Sequence, residues 1–290
     1  RNDGQPNLSM AAMLVGCLSN IVLDYVFIFP LGMGMFGAAL ATCAAPGIGL
    51  LISSAHFFQR KNSFRPVWCP LNGKQARGIL SLGVSSLITE VSSGIVMLVF
   101  NQIILSLSGN MGVAAYGIIA NLALIVVSIF TGVAQGIQPI VSRSFGSGQM
   151  RHVKQIFYYG LITSAAFGLL FLGVGWFFFQ PVVGIFNQEN NLEMERLASQ
   201  GLPLYFLAFP MMGVNILASS YLASLSKGGP AFLLSALRGA TAVIPAVFIF
   251  SQLFGLTGVW LAVPCAEALT FLVFLGMLPF CFRHSKGSGA

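Results

Sequence analysis

Asn20 and Asp24 lie four residues apart inside an apolar run, CLSNIVLDYVFIF, residues 17–29. That spacing puts an amide and a carboxylate on one face of a helix. A carboxylate at the centre of a membrane helix costs about 2.5–3.5 kcal/mol on insertion scales, so its presence there calls for a role. Past the turn PLGMG, Thr42 re-enters the apolar layer to a similar depth, roughly 10 Å against about 8 Å for Asp24 at ~1.5 Å of rise per residue. Amide, carboxylate and hydroxyl are all oxygen donors of the type that a hard ion such as Na⁺ takes, whereas a proton needs only the carboxylate. Asn20 and Thr42 alone would serve equally well as interhelical hydrogen-bonding groups. Asp24 would not, because no basic residue lies near it within a span. The three form a candidate cation site, and beyond Na⁺ there they suggest no metal.

Three other charges fall inside apolar segments: Glu90, Arg238 and Glu267. Ser86, Glu90, Ser93, Met97 and Asn101 recur at helical spacing and form a polar stripe on one face, better suited to water or a polar cavity than to lipid. Glu90, Asn101 and Glu267 are the candidate cavity residues, with a packed, protonated carboxyl as the plainer reading of Glu90. Arg238 is about eight residues from the end of its helix, and snorkelling to the interface is favoured over pairing with Glu267. No catalytic set emerges. His56, His152 and His284 sit at the edges of spans or in loops, without an HExxH pattern or a paired catalytic Asp. The five cysteines, Cys17, Cys43, Cys69, Cys265 and Cys281, have no paired spacing and read as small buried apolar residues. Neither an enzyme nor a cofactor is expected.

The elements that must hold these residues are membrane helices. The chain is 56% hydrophobic and 7% charged, with 26 Phe among 290 residues, where a soluble domain is roughly 25% charged. Its apolar blocks are long enough to cross a hydrocarbon core of about 30 Å. Eight spans are expected, at 8–29, 35–58, 78–108, 112–141, 155–180, 197–226, 230–252 and 258–281. Pro203, Pro210, Pro245 and Pro264 interrupt them, and WFFF at 176–179 suits an interfacial aromatic belt.

With the N-terminus placed inside, twelve of the 14 Lys and Arg fall in inner loops or helix ends, and one, Arg196, falls outside. The positive-inside rule therefore puts both termini in the cytoplasm. The net charge of +7 is a topology signal of a multi-pass protein and carries no nucleic-acid reading.

VFIFPLGMGMFGAALA at 26–41 aligns without gaps on VFIFSQLFGLTGVWLA at 247–262, a displacement of 221 residues. Six spans separate the copies, so the copies run in the same direction, as in transporters built from parallel repeats. On this reading residues 1–58 are the last two helices of a first six-helix lobe, 59–77 is a basic cytoplasmic linker, and 78–290 is a complete second lobe. The abrupt start at Arg1 fits four further helices upstream.

NIVLDYVFIFPLGMGMFGAALAT, GVAQGIQPIVSRSFGSGQ (132–149) and GVWLAVPCAEAL (258–269) together resemble the multidrug and toxic compound extrusion (MATE) family, with the likeness covering essentially the whole chain. The resemblance implies a twelve-helix, two-lobe fold of which this chain matches helices five to twelve. It also implies a secondary active antiporter in the cell membrane that exports organic, often cationic, compounds in exchange for Na⁺ or H⁺, acting as a monomer. Asn20, Asp24 and Thr42 match family positions that bind the coupling cation, and Glu90 resembles an acidic residue of the seventh helix. A flippase for a lipid-linked precursor shares the bundle architecture and is the alternative. Three acidic residues against one basic residue in the spans favour a cationic cargo.

Overall fold

The computed structural model describes residues 6–58, 73–187, 191–225 and 227–282. Among these every regular element is a helix. In chain order they are α1 (Pro6–Ile28), α2 (Gly34–Phe58), α3 (Gly73–Gly146), α4 (Met150–Phe177), α5 (Phe179–Phe186), α6 (Leu192–Phe206), α7 (Phe209–Ser224), α8 (Gly228–Ala236), a π-helical turn (Leu237–Thr241) and α9 (Val243–Phe282). The chain divides into two compact units, Arg1–Asn72 and Gly73–Ala290. Most of the expected linker at 59–77 lies outside the described residues, as do Trp68 and Cys69.

The longest helices are hairpins. In α3 the rings of Phe100 and Tyr116 stack with centroids 5.4 Å apart, whereas 16 residues of straight helix would separate them by about 24 Å. The reversal is at Gly109, where φ is 62°. α9 doubles back in the same way at Gly255, with φ 59°. The α1–α2 connection turns through Gly32 and Gly34, at φ 61° and 53°. A side chain resists such a conformation, and glycine does not.

Three residues after Gly34, Gly109 and Gly255 comes a second glycine, where the returning helix passes close to the outgoing one. A Cβ on Gly37 would lie 3.0 Å from the Phe27 carbonyl oxygen, and one on Gly112 would lie 2.9 Å from Ile104 Cγ2. One on Gly258 would collide with the Phe250 carbonyl. The glycines shared by the repeat at 26–41 and 247–262 therefore do the same two jobs in both copies, and GNMG at 109–112 does them a third time.

Counted as passes, with each hairpin taken as two and the bent pair α6–α7 as one, the described residues form eight apolar spans, as expected. α6 and α7 meet at 48°, because Pro203 and Pro210 remove donors on both sides of the break at Leu207–Ala208. The seventh pass is α8, the π-helical turn and the start of α9, so it is not the uninterrupted helix read over 230–252. α5 and the start of α6 occupy part of 181–196, the stretch between the fifth and sixth expected spans.

In the second unit α7 is the central helix. It packs on α3, α4, α8 and α9 and is buried on all sides from Met212 to Ser219. Helix association in lipid depends on close packing and polar contacts, since lipid is as apolar as leucine. Glycines supply the closeness. Gly213 sits against the ring of Phe130, Gly201 against Trp260, and Gly168 against the Pro210 backbone. Trp176 donates through Nε1 to the Pro203 carbonyl at 3.2 Å, which ties the end of α4 to α6.

Candidate functional site

In the first unit, α1 and α2 enclose a groove of about 610 Å³ whose lining includes Gly16, Cys17, Asn20, Thr42, Pro46 and Ser53. Asn20 and Thr42, 22 positions apart in the sequence, thus share one groove. The tight crossing that brings them together runs through small residues: a Cβ on Gly49 would lie 3.2 Å from the Ala12 carbonyl. Thr42 is exposed to the groove, and its Oγ1 donates back to the Ala38 carbonyl at 2.9 Å, which leaves the hydroxyl lone pairs free. Asp24 lies one turn beyond Asn20 on α1 and does not line this groove.

Asn20 Nδ2 and Asp24 Oδ1 are both buried, and neither has a hydrogen-bond partner among the described residues. A buried polar atom left unpaired costs about 1–3 kcal/mol, and two on adjacent turns of one helix call for a ligand or a partner. The amide can present nitrogen or oxygen by rotation about its last bond, so the pair can offer two oxygens and a full negative charge to a cation. The residues present fit a Na⁺ ion or a proton.

The second unit holds a more fully connected polar cluster. Glu267 is only 2% exposed. Its Oε2 accepts from Asn215 Nδ2 at 2.7 Å, and the same nitrogen donates to the Glu267 carbonyl at 2.9 Å. Its Oε1 pairs with Arg238 Nε at 3.2 Å. Arg238 therefore does not snorkel, contrary to the expectation from its depth. Separating the two charges would strand the Glu267 carboxylate unpaired in a low-dielectric interior, and breaking a buried pair costs about 3–5 kcal/mol. The π-helical turn places Arg238 against α9, a position that counting residues on an α-helix does not give. Asn215 itself is fully buried, and its Oδ1 has no partner.

Sequence reasoning missed Asn215. Its one signal is a lone amide in the apolar stretch FPMMGVNILA, with nothing nearby to pair with. Glu90 lies on α3 with its side chain outside the described residues, while Asn101, on the same helix, is half-buried. The structure brings Asn20 and Thr42 together and joins Glu267 to Asn215 and Arg238. It shows no hydrogen bond between Glu267 and Asn101.

The MatE family model matches residues 83–249. Among curated proteins, the multidrug export protein MepA of Staphylococcus haemolyticus is 29% identical over 280 residues, covering 96% of this chain and 60% of MepA. MepA of Staphylococcus aureus strain MSSA476 is 28% identical over 278 residues, again with 60% of its length covered. The chain thus spans about 60% of the length of the curated relatives it matches. Among solved structures, a multidrug resistance MATE family transporter of the MOP superfamily in its outward-facing conformation superposes with a TM-score of 0.84 at 21% identity, over 94% of this chain and 62% of that one. A MOP superfamily transporter from Pyrococcus furiosus superposes at 0.82 with 20% identity, over 95% of this chain and 63% of that one.

Proposed function

The chain belongs to the MatE family, and from that premise we propose that it works as part of a secondary active exporter of organic cations driven by inward flow of Na⁺ or H⁺. The observation that carries this reading is the buried Asp24 carboxylate oxygen, unpartnered beside an unpartnered Asn20 amide. A carboxylate so placed changes its affinity for a cation whenever its surroundings change, and an ion that prefers one state of the protein shifts the balance between states. Moving that balance from 1:99 to 99:1 takes about 5.5 kcal/mol of differential binding. Asp24 is the charged ligand, and Asn20 and Thr42 are neutral ones.

Cargo selection rests on charge. Glu267 is paired with Arg238 in this state, so Glu90 is the acidic residue left inside an apolar span of the second unit to attract a cationic cargo, with Asn101 three helical turns along on the same stripe. The protein lies in the cell membrane with both ends of this chain in the cytoplasm, and it acts as a monomer. The test is efflux of a cationic dye from proteoliposomes of the full-length protein under an imposed Na⁺ or H⁺ gradient. Asp24→Asn is expected to abolish gradient-driven efflux while dye binding stays measurable. Full gradient-driven flux in that variant would place the coupling site elsewhere.

A further inference from the structure

The cluster around Glu267 has three features that a purely structural ion pair does not need. The guanidinium of Arg238 touches the carboxylate through Nε alone, and among the described residues its two terminal nitrogens make no hydrogen bond. Asn215 Oδ1, on a fully buried side chain, is an acceptor with no donor. Arg238 also stands on a π-helical turn, a rare and more widely wound form found frequently at functional sites. The Arg238 side chain is 23% exposed while that of Glu267 is 3% exposed. The cation can therefore leave toward its exposed side, and the carboxylate stays where it is.

We infer that Glu267 and Asn215 form a binding site for a hydrogen-bond-donating organic cation, a guanidinium or ammonium group, and that Arg238 is its tethered occupant. Exchange is the step that makes such a site workable inside a membrane. Admitting a cation to a vacant buried carboxylate requires a prior state with an unpaired charge, which is costly. Replacing one cation by another never leaves the carboxylate alone. An incoming guanidinium or ammonium takes over Oε1 of Glu267 and gives Asn215 Oδ1 the donor it lacks, while Arg238 swings out on the π-helical turn. Buried Tyr205 of α6 also lies within electrostatic reach of the carboxylate. This adds a second cationic site to the proposed export activity; only the identification of the ligand with the cargo rests on that reading.

Binding tests the exchange without transport. A tethered occupant competes at high effective concentration, so removing it unmasks the site. Full-length protein in detergent is titrated with methylguanidinium chloride, following thermal unfolding at constant ionic strength. Arg238→Gln is expected to unfold at a lower temperature than the unmodified protein and to regain stability at a methylguanidinium concentration at least about tenfold below any that affects the unmodified protein. The double variant Arg238→Gln/Glu267→Gln carries neither charge and is expected to fold and ignore methylguanidinium. Equal responses of Arg238→Gln and the double variant would overturn the proposal. So would restoration of Arg238→Gln by sodium chloride as effective as that by methylguanidinium, because it would mark an inorganic-ion site. If Arg238→Gln cannot be purified, Arg238→Lys replaces it. Its shorter reach and single ammonium should give a smaller unmasking in the same direction, and no unmasking counts against the site. Failure of the gradient-driven efflux assay would leave these results standing, so the two readings fail separately.

Discussion

Asn215 Nδ2 lies 2.7 Å from the Glu267 carboxylate and 2.9 Å from the carbonyl oxygen of the same residue. One amide on α7 therefore fixes both the side chain and the backbone of Glu267 on α9, and through Glu267 it fixes where Arg238 must sit.

That relationship predicts a large effect from a neutral change. Asn215→Leu keeps the branched shape and the number of heavy atoms but removes the donor to a buried, charged acceptor. It is expected to cost about 1.5–3 kcal/mol, the range for hydrogen bonds to charged groups. Thermal unfolding of the purified protein reads this directly. Asn215→Gln, which keeps the amide on a longer arm, should fall between Asn215→Leu and the unmodified protein.

At the first-unit site the ligands should not weigh equally. Thr42→Val removes a neutral oxygen from an exposed side chain whose existing bond returns to its own helix. It should raise the Na⁺ or H⁺ concentration needed for half-maximal efflux and leave stability within about 0.5 kcal/mol. Asn20→Ala should act in the same direction. Thr42→Ser, which keeps the oxygen, should match the unmodified protein. Equal responses of the Val and Ser variants would show that the hydroxyl is not a ligand.

Two glycines on α4 make a matched pair. A Cβ on Gly168 would lie 2.6 Å from Pro210 Cα and 3.0 Å from the Phe209 carbonyl, which are backbone atoms that cannot step aside. Gly168→Ala should therefore push α4 off α7 and destabilise the fold by about 1–3 kcal/mol. A Cβ on Gly173 would meet nothing within 4 Å. Gly173→Ala should be neutral or stabilising by up to about 1 kcal/mol, alanine being the better helix former. Thermal unfolding of the two variants side by side decides.

The basic asymmetry of the loops predicts which surfaces face outward. In a cysteine-free background, a Cys at Leu192, which is 81% exposed, should react with an impermeant maleimide on intact cells. A Cys at Ser147, beside Arg143 and Arg151, should react only after permeabilisation. Labelling of position 147 on intact cells would reverse the orientation.

The spans and their turns were readable in the sequence because they depend on local properties. Length and apolarity define a pass, and the paired glycines of PLGMGMFG and FGLTG mark a reversal whatever surrounds them. Asn20 and Asp24 were readable for the same reason, as neighbours on one helix turn. The Glu267 cluster was not. Its members lie 52 and 29 residues apart, and they meet only because α7 runs through the middle of the second unit and because one turn of the seventh pass is wound as a π-helix. An α-helical count puts Arg238 at a depth from which it could reach water. The π-helical turn gives it a partner first. The bend between α6 and α7 was only half readable, since Pro203 and Pro210 announce a break without giving its angle.

The paired-glycine turns also bear on how the protein is made. Each joins two apolar helices through a few residues, so the second helix of a pair has its packing partner beside it as soon as both lie in the bilayer. The second glycine sets how tightly such a pair closes.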